Sequence, residues 1–79
     1  MGLTYQRKEK EMKTFEQQIT FGNFYCYNVF KIVDGNWQIY YQAEPIGRGV
    51  TRIGETIEEL RRILEADVKT LNEFYIKVR

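Results

Sequence analysis

The feature that most limits the fold is a pair of aromatic, β-branched runs, residues 21–33 and 36–44, joined by Asp34-Gly35. Asp-Gly between two such runs is a strong hairpin signal, because both central residues of a type I′ turn take positive φ. A two-residue turn pairs Val33 with Asn36, Ile32 with Trp37 and Phe30 with Ile39. That register puts Phe24, Cys26, Phe30, Ile32, Trp37, Ile39, Tyr41 and Ala43 on one face, apolar enough to be the core. Trp37 is then expected to be buried between the sheet and a helix. The other face carries Tyr25, Tyr27, Val29, Val33 and Tyr40, interleaved with Lys31, Gln38, Gln42 and Glu44. A one-residue change in loop length would instead bring Tyr27, Val29 and Val33 alongside Trp37 and Ile39, since side chains alternate.

Either way the sheet has two faces that water does not suit. Each must be covered, or must bind something. Seventy-nine residues make one domain with a thin core; a chain this short buries only roughly 60–65% of its unfolded surface. Its 15% aromatic content offsets this, because each ring buries a large area. The 43% hydrophobic and 29% charged fractions are those of a globular chain, not a disordered one. With no apolar run long enough for a secretory core or a membrane span, the chain reads as cytoplasmic.

Thr56-Ile-Glu-Glu59 is a capping box, in which the Thr56 hydroxyl takes a helix-start N–H and Glu59 reaches back to the Thr56 amide. Ile57, Leu60, Ile63, Leu64, Val68 and Leu71 then follow a helical period. Beyond Asn72 the tail Glu73–Arg79 reads as a strand on its β-branched and aromatic content, with continuation of the helix as the alternative. Val50–Ile53 can form a short third strand. Residues 4–18 lack Gly and Pro, and Tyr5, Met12, Phe15 and Ile19 recur at helical spacing, so a helix is expected there. The domain reading is an N-terminal helical segment or extension over 1–18 and a single domain over 19–79. The fold class is α+β: an antiparallel sheet of three or four strands, one main helix packed on it, and an N-terminal helix.

The chain has no histidine, which removes the ordinary nucleophile relay and imidazole metal ligands. Its glutamates fall mostly at helical spacings suited to solvated pairs, and its two aspartates are Asp34, in the turn, and Asp67, on the helix. No catalytic residue, metal site or cofactor is expected, and the chain is not read as an enzyme. Cys26 is the sole cysteine and reads as a small structural hydrophobe. The net charge of +1 gives no global field for nucleic acid or membrane. Local candidates are the Gly47–Arg52 turn, with Arg48 and Arg52 as anion contacts, and the tyrosines Tyr25, Tyr27 and Tyr40 as exposed rings. These five residues form the candidate binding surface. The first reading is a binding or regulatory module acting through protein contacts, with a protein partner or self-association as a homodimer. The alternative is a nucleic-acid-binding module that combines stacking on those tyrosines with charge from those arginines.

The stretch Gly49-Val-Thr-Arg-Ile-Gly54-Glu-Thr-Ile-Glu-Glu-Leu60 resembles the HicB-type antitoxin fold, in which a short antiparallel sheet leads through such a glycine-spaced turn into a helix. The resemblance implies the order ββ, β, α, β over residues 24–79. It also implies a role in neutralising a toxin by protein contact, often with DNA binding.

Overall fold

A computed structural model describes residues 11–77, with side chains through Phe74. Four strands, β1 (Met12–Phe21), β2 (Tyr25–Val33), β3 (Ile39–Pro45) and β4 (Arg52–Gly54), precede one helix, α1 (Ile57–Lys77). The strands form an antiparallel sheet in the order β1-β2-β3-β4. This is the expected α+β class, with four strands and one main helix.

The N-terminal segment departs from expectation. Residues 12–18 are strand, not helix, and the boundary drawn at 18/19 falls inside β1; residues 4–10 of the expected helix lie outside the described residues. The long edge of β2 supplies β1 with backbone partners along its whole length, and this pairing overrides the helix-favouring composition. A bulge explains the misleading spacing. Phe15 pairs with Phe30 and Gln17 with Val29, leaving Glu16 as the extra residue. The bulge sends Met12 and Ile19 to one face and Phe15 to the other, so their helix-like spacing marks no common surface.

The hairpin of β2 and β3 forms as expected, but its register differs. Val33 pairs with Ile39 and Val29 with Ala43. The Asp34 amide donates to the Gln38 carbonyl and the Trp37 amide to the Asp34 carbonyl, which encloses Gly35, Asn36 and Trp37 in a three-residue loop. Such loops end on a residue in the left-handed region. Here that residue is Trp37, at φ 65°. The Asp34 carboxylate braces the turn by accepting from the amides of Asn36 and Gln38 at 2.8 and 3.0 Å.

The longer loop exchanges the faces. Tyr25, Tyr27, Val29 and Ala43 now share the face under α1 and form the core with Ile19, Leu60 and Leu64. The helix stripe continues through Val68 and Leu71, and α1 packs on β4, β3 and β1. Gly54 makes the approach close: a Cβ there would meet backbone and side-chain atoms of Leu60 at 3.0–3.1 Å. The capping box forms with one change. Thr56 Oγ1 accepts from the Glu59 amide at 3.0 Å, while Glu59 Oε1 accepts from the Glu55 amide, one residue before Thr56, at 2.8 Å. The helix runs on through Lys77, so the strand expected from Glu73 does not form within the described residues, and the element order implied by the resemblance lacks its last strand there.

Candidate interaction surface

The helix covers one face of the sheet and only part of it. Buried residues cluster toward the β1–β2 turn, whereas Met12, Thr14 and Ile39, near the β2–β3 tip, remain exposed on the same face. At that tip Trp37 is 85% exposed, which corrects the expectation of a buried indole. Its position in the loop, rather than in β3, removes it from both faces of the sheet.

The opposite face is built in cross-strand rows. One row runs Phe15, Phe30, Gln42, Ile53; the next runs Lys13, Ile32, Tyr40. The Phe15 and Phe30 rings meet edge to face, with centroids 5.8 Å apart. Lys13 Nζ lies 4.6 Å from the Phe30 centroid and donates to Glu44 Oε2 at 2.6 Å. That bond, opposed in part by burial, holds the Glu44 carboxyl below its ordinary value. Tyr40 Oη donates to Glu11 Oε2 at 3.1 Å. Partial burial, then this hydrogen bond, raise the Tyr40 phenol above its ordinary value. Gln18 Nε2 donates to Asn28 Oδ1 at 3.0 Å in the adjoining row.

The five residues expected to form one binding surface do not come together. Tyr25 and Tyr27 are 3% and 0% exposed and belong to the core; the register puts them under the helix. Tyr40 is half-buried on the opposite face. Arg52 is gripped by Asp67 of α1, Nε to Oδ2 at 2.6 Å and Nη2 to Oδ1 at 3.2 Å. The Asp67 hydrogen bond and charge raise the guanidinium further above its already high value, and the pair neutralises itself. Arg48 lies over the Phe24 ring, 5.2 Å from its centroid, at the end of the molecule that carries the β1–β2 turn. A cavity of about 200 Å³ beside the Arg52–Asp67 pair is lined by Val50, Thr70 and Leu71 as well.

Residue reasoning missed Phe15, Ile53 and Trp37 as exposed apolar groups. A signal for the first was present: Gly22-Asn23 is a turn dipeptide that could have divided residues 12–33 into two strands. Among the described residues no three His, Cys, Asp or Glu side chains are grouped to hold a metal ion, and no helix is long and apolar enough to cross a membrane. No protein-family model, curated protein or solved structure matches the chain.

Proposed function

We propose that this chain is a non-enzymatic binding module that works through protein contacts, with Trp37 as its anchor. The observation that carries the reading is a large aromatic, almost wholly exposed, held at positive φ on a braced hairpin tip. A left-handed backbone costs a side-chain-bearing residue roughly 1–2 kcal/mol. Residues kept in such conformations cluster at sites of function, and exposed tryptophan dominates many protein interfaces. Met12 and Ile39, both exposed near the same end, extend the apolar contact. The antitoxin-like role implied by the resemblance is one form of this reading, with a toxin as the partner.

The nucleic-acid alternative loses its main support. It requires cations and tyrosines on one surface, and here two of the tyrosines are core and Arg52 is neutralised by Asp67. Affinity for nucleic acid depends on the phosphates neutralised, so only weak, salt-sensitive binding is expected. The test is capture of a partner by the immobilised protein from cells that make it. Trp37→Ala should abolish capture, and Arg48→Ala should leave it intact. Capture indifferent to Trp37→Ala, or tight nucleic-acid binding lost with the two arginines, would reject the reading.

A further inference from the structure

We propose that the hollow beside the Trp37 tip takes an extended, arginine-bearing segment of the protein partner, added as a strand to the open edge of β3. The inference rests on the tip reading and deepens it, since it states the chemistry of what lies next to the anchor. The hollow follows from the register of the sheet. β4 pairs with Tyr41, Gln42 and Ala43, and the chain then leaves the sheet at Gly54 to enter α1. Ile39 and Tyr40 are held by Val33 and Ile32 on the β2 side. On their other side no described strand reaches them. An open edge presents main-chain N–H and C=O groups that another extended chain satisfies in series. Gln38, Ile39, Tyr40, Glu55 and Thr56 line a volume of about 480 Å³ there. That lies within the roughly 300–1,000 Å³ of ordinary ligand sites.

Charge selects the residue that enters. Glu55 lines the hollow, and its carboxylate forms no ion pair among the described residues. Glu11 joins it through the Tyr40 hydroxyl, bonded at 3.1 Å, and likewise pairs with no described cation. No lysine or arginine is in the lining. Of the cations in the strands, Lys13 and Arg52 are bonded to Glu44 and Asp67, and Lys31 stands on β2, away from the open edge. The partial positive charge at the start of α1 is offset by Glu58 and Glu59 in its first turn. The hollow is therefore negative and complements a cation. Arginine suits it better than lysine, because a planar fork offers donors to more than one carboxylate. The apolar stem of such a side chain has Ile39, 50% exposed, to lie on.

The test titrates the full chain with three blocked pentapeptides and follows its amide chemical shifts. The peptides are Thr-Val-Arg-Val-Thr and the versions with glutamine or glutamate at the centre. The arginine peptide should shift the amides of Ile39, Tyr40 and Glu55. It should bind about fivefold more tightly than the glutamine peptide, the size of one exposed ion pair. Added salt should shrink that difference, and the glutamate peptide should bind most weakly. Glu55→Gln, a conservative change at an exposed position, should lessen the arginine preference. No binding at millimolar peptide, shifts centred elsewhere, or equal affinity for the arginine and glutamine peptides would overturn the proposal. So would an arginine preference that Glu55→Gln leaves unchanged. The anchor is judged separately. Partner capture that needs Trp37 while the arginine peptide fails to bind rejects the hollow alone. Peptide binding in the hollow, with capture indifferent to Trp37→Ala, rejects the anchor alone.

Discussion

Gly49 sits at φ 119°, and a Cβ placed on it would lie 2.7 Å from the Tyr27 hydroxyl oxygen. Both the backbone and the space therefore demand glycine. Gly49→Ala is expected to cost on the order of 2–3 kcal/mol in denaturant melts, from steric overlap and backbone strain together. Part of that cost should vanish in a Tyr27→Phe background, which removes the nearest atom; equal costs in both backgrounds would show that the two sites do not touch. The Tyr27 hydroxyl is buried and meets no hydrogen-bond partner among the described residues. Tyr27→Phe alone should therefore be neutral or stabilising by about 1 kcal/mol. Burial, then the electrostatic influence of Asp67 and of neighbouring Tyr25, hold the Tyr27 phenol above its ordinary 10.0, with Arg52 pulling the other way. The native state keeps this proton after the unfolded chain has begun to lose it. Stability is thus unaffected below pH 10.0 and falls as pH rises from there through the folded value. Melts of Tyr27→Phe across the alkaline range should lack this component of the fall. At the exposed tip, Trp37→Gly should stay within about 1 kcal/mol of wild type, since it trades solvent-exposed contact for relief of the left-handed backbone.

The elements divide into those whose signals are local and those made by pairing. The start of α1 is local: Thr56→Ala should lose roughly 0.5–2 kcal/mol and leave the fold intact, as read by thermal melts and helical circular dichroism. The body of α1 holds to the sheet through Leu60 and Leu64, both fully buried. Leu64→Ala is expected to cost about 2–5 kcal/mol, because the sheet beneath cannot collapse into the space left. β1 is the opposite case. Its residues favour helix as an isolated segment, and only the open edge of β2 makes them a strand. The far end of α1 is similar, since the β-branched tail that suggested a strand follows from Asn72 without a break in the helix.

The whole molecule depends on β1 because that strand contributes Ile19 to the core and protects the edge of β2. A chain starting at Asn23 should fail to fold cooperatively, giving a poorly dispersed amide spectrum. A well-dispersed spectrum would show that β2–β4 and α1 suffice. Among the described residues the sheet carries one helix, packed on one of its faces.

The amino-acid sequence by itself determined the α+β class, the β2–β3 hairpin, the capped start of α1 and its apolar stripe. Each is written in a short window of turn chemistry or periodicity. The missing histidine likewise bounded the chemistry before any fold was known. Only the tertiary structure decided which face of the sheet is core. Both faces carry aromatic and β-branched residues at period two, so lengthening the loop from two to three residues exchanges them at small local cost. Docking of α1 breaks the tie, because Ala43 and Gly54 let the helix approach on the side of Tyr25, Tyr27 and Val29. That contact joins residues far apart in the chain, and no local pattern encodes it. For the same reason Tyr25 and Tyr27 were readable as aromatic but not as buried, and Trp37 as large but not as exposed.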